Sequence, residues 1–323
     1  MNKKIVFLDA ATVDYGDIDT APLESVGEYT AFATTSTSEI QSRVAGAGVL
    51  ITNKVRVDES VLAMCDDLRA IAVAATGYNN IDIAAAKRRG VAVANVPAYS
   101  TSSVAQCTMA CVLACATNLV RYNSAAHDGR WSESPIFTLG TWPFSDVRGK
   151  VMGIMGMGAI GKEVARLASA FGMKIVALKR ENMAYTDDVE RMSLYELAEI
   201  SDYVSVHMPL TAATRHLIGD RFFQKMKPSA FLINMARGAI IDSAALNRAL
   251  RSGRIAGAAL DVMEQEPPSS DDPLLSAPNC IITPHVAWAS RESRQRLINE
   301  IAENIGAFFN GELRNRIDTL DDI

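Results

Sequence analysis

The sequence predicts an α/β protein built from two doubly wound parallel-sheet domains. Three observations predict it. Short apolar runs alternate with segments of helical periodicity along nearly the whole chain, the pattern of repeated β-α-β units. The chain has 323 residues, more than one hydrophobic core usually serves. Ala, Val and Ile are abundant while aromatics make up only 7%, which suits strands buried under helices on both faces.

The elements follow in order. Ile5–Leu8 is the first strand and ends at Asp9. Gly48–Thr52, Ala70–Ala75 and Val91–Asn95 are further strands, with Ile81–Arg89 one of the helical stretches between them. A second series starts after Gly149-Lys150. Val151–Met155 is its first strand, and Val164, Leu167, Ala168 and Phe171 mark the buried side of the next helix. Lys174–Leu178, Tyr203–Val206, Ala230–Ile233, Ala256–Leu260 and Ile281–Thr283 continue the strands. Asp242 reads as a helix N-cap and Gly253 as the end of that helix. A last amphipathic helix runs from about Ser290 to Asn310, with Ile298, Ile301, Ile305 and Phe308 on one side and Gly311 as its stop. The expected division is 1–98 with 289–323 as one discontinuous domain and 99–288 as the other, with crossings near Ala98–Ser100 and Trp288–Ser290 acting as hinges.

Gly129–Lys150 breaks the pattern. It holds Trp131, Trp142, two prolines and three glycines with little periodicity. Irregular segments of that length are more often functional or interfacial than idle, so an arm that packs on a second subunit is expected.

Composition excludes several classes. A net charge of −5 without a basic cluster argues against nucleic acid as the partner. The N-terminal apolar run is too short for a signal segment or a membrane span, so no membrane partner is expected. Five cysteines without a secretion signal read as reduced thiols of a cytoplasmic protein. Cys107, Cys111 and Cys115 recur every four residues on one helix face, which reads as core packing rather than a metal site.

Gly156-Met157-Gly158-Ala159-Ile160-Gly161 is a G-x-G-x-x-G run that leaves a strand and opens an amphipathic helix. The first glycine permits the turn, the second lets a pyrophosphate approach the backbone, and the third allows close helix–strand packing. The helix N-terminus adds unpaired N–H groups for the phosphates. The next strand ends in Leu178-Lys179-Arg180-Glu181. Two cations where a carboxylate would grip a ribose 2′-hydroxyl favour the 2′-phosphate of NADPH over NADH, although Glu181 stands at a spacing that would serve NADH.

Three later strand ends carry charge. Arg237 follows Ile233-Asn234-Met235-Ala236. Asp261 and Glu266 fall in Leu260-Asp261-Val262-Met263-Glu264-Gln265-Glu266-Pro267. His285 follows Ile281-Ile282-Thr283-Pro284. Ligands of open parallel sheets lie beyond the carboxyl ends of strands, so these groups are candidates for one site.

At these residues the chain resembles the D-isomer-specific 2-hydroxyacid dehydrogenase family. The resemblance spans nearly the whole chain and includes Ala75-Thr76-Gly77-Tyr78-Asn79-Asn80-Ile81-Asp82, the glycine run, Pro209-Leu210-Thr211, Asn234-Met235-Ala236-Arg237-Gly238, Glu266-Pro267-Pro268 and Thr283-Pro284-His285. Within the family, His285-Val286-Ala287-Trp288-Ala289-Ser290 looks most like bacterial hydroxypyruvate reductases, also called glycerate dehydrogenases. The resemblance implies a flavodoxin-like substrate domain, a Rossmann cofactor domain and a homodimer.

It implies residue roles as well. Arg237 binds the carboxylate and carbonyl oxygen of a small 2-keto acid, His285 gives the proton, and Glu266 hydrogen-bonds and orients His285. The N–H groups of Thr76 and Gly77 hold the carboxylate. Asp261 bonds the nicotinamide carboxamide, and Val104, Pro209, Met235 and Ala236 line the cofactor with the glycine run, Lys179, Arg180 and His285. Two departures stand out: Lys179 replaces the acidic residue common in the family, and Ala287-Trp288 stands where glycine is frequent. Trp288 is either a roof that restricts substrates to short ones or a packing residue. His207, His127 and His216 read as structural. Rival expectations are a D-lactate-type or other keto acid reductase, and a non-enzymatic NAD(H)-sensing protein of the same fold.

Overall fold

The computed structural model describes residues 3–180 and 187–319, which form two compact units. The first unit takes the chain through Ser100 and again from Trp288 onward; the second is Thr101–Ala287.

The first unit holds strands β1 (Lys4–Phe7), β2 (Glu28–Ala31), β3 (Val49–Thr52), β4 (Ala70–Val73) and β5 (Ala92–Ala94). They form one parallel sheet in the order β2-β1-β3-β4-β5, the flavodoxin-like order. Alternate side chains feed two cores, as a pleat requires. Val6, Leu8, Leu50, Ile71 and Val93 pack with Leu62 and Ile83 on one face. Ile5, Phe7, Val49 and Ile51 pack on the other against Leu297, Ile298, Ile301 and Ile305. Those last four lie on the helix Arg291–Phe309, so the end of the chain returns to complete the first sheet. Ser290 caps that helix by accepting the N–H of Ser293. Trp288 sits edge-on to Tyr99, with ring centroids 6.2 Å apart.

The second unit holds β6 (Val151–Met155), β7 (Lys174–Leu178), β8 (Glu190–Met192), β9 (Tyr203–Val206), β10 (Phe231–Asn234), β11 (Gly257–Leu260) and β12 (Cys280–Ile282). All pairs are parallel, in the order β12-β11-β10-β9-β6-β7-β8. The order reverses at β6, which pairs with β7 on one side and β9 on the other. That reversal is the topological switch point of a Rossmann sheet, where a dinucleotide is held. Asp242 caps the helix Ser243–Arg251 by accepting the N–H of Ala245 at 2.9 Å, and Gly253 follows it with φ +68°.

The edge strands β2 and β8 were not expected from the sequence. Each pairs on one side only and is largely polar and solvent-facing, so neither carries an apolar run. Residues 129–150 form neither helix nor strand and expose Trp131, Ile136, Phe137 and Phe144. Cys107, Cys111 and Cys115 lie on the helix Thr101–Thr117, and burial pushes the Cys115 thiol up to about 12. No single helix among the described residues is long and apolar enough to cross a membrane.

Candidate active site

The chain leaves β6 at Met155 and turns through Gly156 with φ +107°. A Cβ there would lie 2.6 Å from the carbonyl oxygen of His207, just past the neighbouring β9. At Gly161 a Cβ would lie 2.0 Å from the Gly156 carbonyl oxygen, so the helix could not seat against the turn. Gly158 differs: nothing stands within 4 Å of its Cβ position, and it is exposed. The helix Ala159–Ala170 starts there without a side-chain cap. Its first N–H groups, on Ala159, Ile160 and Gly161, precede any possible helical acceptor. An open glycine beside an uncapped helix N-terminus at the switch point fits a dinucleotide pyrophosphate.

Lys179 and Arg180 follow β7 and are exposed. The Lys179 N–H donates to the Met192 carbonyl at 2.8 Å, which fixes its backbone beside β8. Glu181 lies outside the described residues. Beyond β9, the Pro209 carbonyl accepts from Thr214 Oγ1 at 2.7 Å. Val104 is buried on the helix Thr101–Thr117.

After β10 the fully buried Asn234 shapes the next turn. Its Oδ1 accepts the Ala236 N–H at 3.0 Å and its Nδ2 donates to the Arg237 carbonyl at 2.9 Å. Met235 is buried and Ala236 half-buried beneath the turn. Arg237 emerges half-buried, with Nη1 donating to the Ala236 carbonyl at 2.7 Å. Among the described residues its guanidinium makes no ion pair, which leaves its forked donors for a carboxylate ligand.

Asp261 follows β11 and is 2% exposed. Its Oδ1 accepts from Thr283 Oγ1 at 2.6 Å and from the Val286 N–H at 2.9 Å, and its Oδ2 from the Ala287 N–H at 2.8 Å. Its carbonyl also accepts the His285 N–H at 2.8 Å. Asp261 thereby holds the whole 283–287 loop, and Ser103 Oγ adds a bond to the Ala287 carbonyl at 2.6 Å. A carboxylate offers about four acceptor positions, so three are occupied by this loop.

On that loop His285 has φ +53°, a conformation non-glycine residues seldom take. Its Nδ1 lies 2.6 Å from Glu266 Oε2. A carboxylate only accepts, so Nδ1 is the donor and Nε2 faces away from Glu266. Glu266 is fixed in turn by the Met263 N–H, 2.9 Å from Oε1. His285 and Glu266 are both partly exposed.

Thr76 and Gly77 lie in the first unit, just beyond β4. Thr76 is held by its own Oγ1, which donates to the Val96 carbonyl at 2.9 Å, and by Asn95 Nδ2, which donates to the Thr76 carbonyl at 2.7 Å. Among the described residues the backbone N–H groups of Thr76 and Gly77 donate to no protein acceptor.

Of the histidines expected to be structural, His207 accepts or donates at Nε2 to Ser205 Oγ, 2.7 Å away, while Nδ1 is sealed from solvent. Burial pulls its pKa down to about 4. His127 bonds the Asn123 carbonyl at 2.9 Å and His216 bonds Glu264 at 2.8 Å. Sequence reasoning missed the scaffold of the site: Asn234, Ser103 and the loop-holding role of Asp261. The one available signal was an apolar strand ending on a buried aspartate.

Comparisons with known proteins show the family and the fold. The NAD binding domain of the D-isomer specific 2-hydroxyacid dehydrogenases matches residues 109–287. A hydroxypyruvate reductase of Blautia hydrogenotrophica is 38% identical over 95% of this chain and 97% of its own. A glycerate dehydrogenase of Methylorubrum extorquens is 39% identical over 98% of this chain and 100% of its own. A solved structure from Thermus thermophilus superposes with a TM-score of 0.88 at 33% identity, covering 97% of this chain and 99% of that one. The chain belongs to the D-isomer-specific 2-hydroxyacid dehydrogenase family and is a nicotinamide-dependent oxidoreductase.

Proposed function

We propose that the protein reduces a small 2-keto acid to the D-2-hydroxy acid, with hydroxypyruvate to D-glycerate as the main reaction and glyoxylate as a second substrate. The observation that carries the reading is the His285 Nδ1–Glu266 Oε2 bond of 2.6 Å, in one unit with an Arg237 guanidinium that makes no ion pair among the described residues. The names of the two relatives support hydroxypyruvate as the substrate.

When bound, the reduced nicotinamide supplies a hydride to the carbonyl carbon. This chain's residues do the rest. Arg237 binds the substrate carboxylate and draws charge onto the carbonyl oxygen. His285 gives that oxygen a proton from Nε2, while Glu266 keeps the ring turned by holding Nδ1–H. The reaction consumes one hydride and one proton per carbonyl reduced. Thr76 and Gly77 lend their N–H groups to the carboxylate, which gives the first unit the substrate-binding role and the second the cofactor-binding role. Gly156, Gly158, Ala159, Ile160 and Gly161 receive the pyrophosphate, and Val104, Pro209, Met235 and Ala236 line the rest of the cofactor. The acceptor position left on Asp261 serves the carboxamide.

Lys179 and Arg180 support NADPH as the preferred cofactor, since both expose cations where a 2′-phosphate would lie. The exposed Trp131, Ile136, Phe137 and Phe144 support a homodimer formed through residues 129–150. The protein is assigned to the cytoplasm on its thiols. Light scattering that finds only monomer at micromolar concentration would remove the dimer.

The deciding experiment follows NADPH and NADH oxidation with hydroxypyruvate, glyoxylate, pyruvate and 2-ketoglutarate. Hydroxypyruvate with NADPH is expected to give the highest kcat/KM. Reduction of none of them with either cofactor would refute the enzyme reading and bring forward an NAD(H)-sensing protein.

A further inference from the structure

The turn that carries Glu266 is fastened at a second point, which the reaction described above does not use. Within the turn, the Met263 N–H donates to Glu266 Oε1 at 2.9 Å. Glu264 stands between the two, and its carboxylate bridges two other segments. Its Oε1 lies 2.8 Å from His216 Nε2, and its Oε2 accepts from Ser243 Oγ at 3.3 Å. A carboxylate only accepts, so Nε2 of His216 carries the proton of that bond. Arg215 Nη1 stands 4.0 Å from the same Oε1, at the limit of an ion pair.

Both partners are anchored independently of Glu264. His216 has φ +51°, a conformation seldom taken by non-glycine residues, and its N–H donates to the Ala239 carbonyl at 2.9 Å. The Ile218 N–H donates to the Ile240 carbonyl at 3.1 Å, so 216–218 runs beside the segment that follows Arg237. Upstream, Thr214 Oγ1 receives the Thr211 N–H at 2.7 Å and donates to the Pro209 carbonyl, which makes 209–216 one compact stretch. Ser243 is the first residue of the helix that Asp242 caps.

Gly238 closes the arrangement. A Cβ on it would lie 2.0 Å from the Met263 carbonyl carbon and 2.4 Å from the Glu264 nitrogen. Main chain therefore rests on main chain where the Arg237 turn meets the Glu266 turn, a contact that only glycine allows. Arg237 lies one residue before that contact and Glu266 two residues beyond it.

We propose that Glu264 is a positioning residue for the reduction: held by His216 and Ser243, it keeps the 263–266 turn seated on Gly238 and so keeps the Glu266 carboxylate on His285 Nδ1. This rests on the keto acid reading and deepens it. In that reading the bridge joins a stretch that lines the cofactor, at Pro209, to the carboxylate that orients the proton donor. The turn is closed by its own hydrogen bond, so a displacement at Glu264 reaches Glu266. A misplacement of about 1 Å in a reacting group costs up to about a hundredfold in rate, and a loosened turn costs a fraction of that. The side chains of His216 and Glu264 are 44% and 37% exposed, so their bond adds little to folding stability. Its contribution lies in placement.

The test measures kcat and KM for hydroxypyruvate at saturating cofactor, with Tm, in the wild type, Glu264→Ala, Glu264→Gln and His216→Ala, and repeats Glu264→Ala in a Glu266→Ala background. Glu264→Ala is expected to lower kcat about fivefold. The KM for hydroxypyruvate should stay within about twofold and Tm within about 2 °C of the wild type, because the pair is exposed. Glu264→Gln still accepts from His216 and should regain most of the loss. His216→Ala should match Glu264→Ala, and combining them should lower kcat little further, because both break one bridge. In the Glu266→Ala background Glu264→Ala should cost nothing more, a result that a general loosening of the fold would not give. A kcat within about twofold of the wild type in Glu264→Ala, or an undiminished loss in the Glu266→Ala background, overturns this inference alone. A wild type that reduces no keto acid overturns it together with the proposed function.

Discussion

Asp9 in the first unit and Asp261 in the second are the same device with different cargo. Each stands one or two residues past an inner strand, each is almost wholly buried, and each reaches sideways to the loop after the adjacent strand. Asp9 takes three consecutive backbone amides; Asp261 takes two amides and a threonine hydroxyl. The loop on Asp261 carries His285 at φ +53°, already bonded to the carboxylate of Glu266. The loop on Asp9 carries an exposed lysine. A parallel sheet delivers loops to its carboxyl edge but does not fix them. A carboxylate among amide donors does, because its own burial is tolerable only while every donor stays in place. What the loop then does depends on the side chain it carries.

The largest expected effect removes the second cargo outright. His285→Ala should lower kcat for the keto acid by about a thousandfold, within the range of general acid catalysis, with the cofactor dissociation constant within about twofold of wild type by fluorescence titration. Turnover at the wild-type rate would strip His285 of the role. Glu266→Gln keeps an acceptor for Nδ1–H but no charge, so its loss should be smaller, on the order of tenfold.

Exchanging the two clamps' aspartates for asparagine sharpens the comparison. In Asp261→Asn an amide NH2 meets the Ala287 N–H, and in Asp9→Asn it meets the N–H groups of Lys54 and Val55. Each variant should lose about 1–3 kcal/mol of stability in denaturant titrations, the cost of burying an unsatisfied donor. Their kinetic signatures should differ. Asp261→Asn should lower kcat some tenfold or more because it frees the His285 loop. Asp9→Asn, whose loop carries none of Arg237, Glu266 and His285, should leave kcat within about twofold. Identical kinetic profiles would mean that the two loops do not divide the work this way.

These clamps also mark where sequence reading stops. The strands Val151–Met155, Lys174–Leu178 and Tyr203–Val206 were legible to the residue, because each is a buried run flanked by polar punctuation. The edge strands Glu28–Ala31 and Glu190–Met192 were not, because both are largely polar and solvent-facing and so carry no apolar run, unlike the edge strands Ala92–Ala94 and Cys280–Ile282. The charged residues at strand ends were legible as candidates, and the structure brings Glu266 and His285 together. The duties of Asp9 and Asp261 were hidden for a physical reason. Their partners are mainly main-chain amides, which every residue but proline possesses, so no residue type marks the acceptor's target. The Asn234 turn was invisible on the same grounds.

A smaller effect concerns the cofactor end of the second unit. Lys179→Asp puts the family's more frequent acidic residue after β7. The NADPH-to-NADH ratio of kcat/KM should fall about tenfold, because a carboxylate repels a 2′-phosphate and accepts from a 2′-hydroxyl. A ratio that does not move would place the 2′ end of the ribose away from Lys179.

The smallest effect belongs to His207, a half-buried histidine beside the glycine turn whose Nδ1 is sealed from solvent. Its folded-state pKa is held near 4 by burial, against 6.5 for an ordinary imidazole. Below pH 6.5 the unfolded chain takes up a proton at this residue and the folded chain does not. Folding stability therefore falls as pH drops from 6.5 to about 4, by at most about 1.4 kcal/mol per pH unit, and this contribution levels off below that window. Other groups titrate there too, so the informative quantity is a difference between two proteins. His207→Gln retains a donor for Ser205 and cannot take up the proton. Its Tm should sit somewhat below the wild type's at pH 7.5 and decline less steeply between pH 6.5 and 4.5. Parallel Tm curves across that range would show that His207 is protonated as easily in the folded chain as in the unfolded one, and that the ring is less enclosed than its contacts indicate.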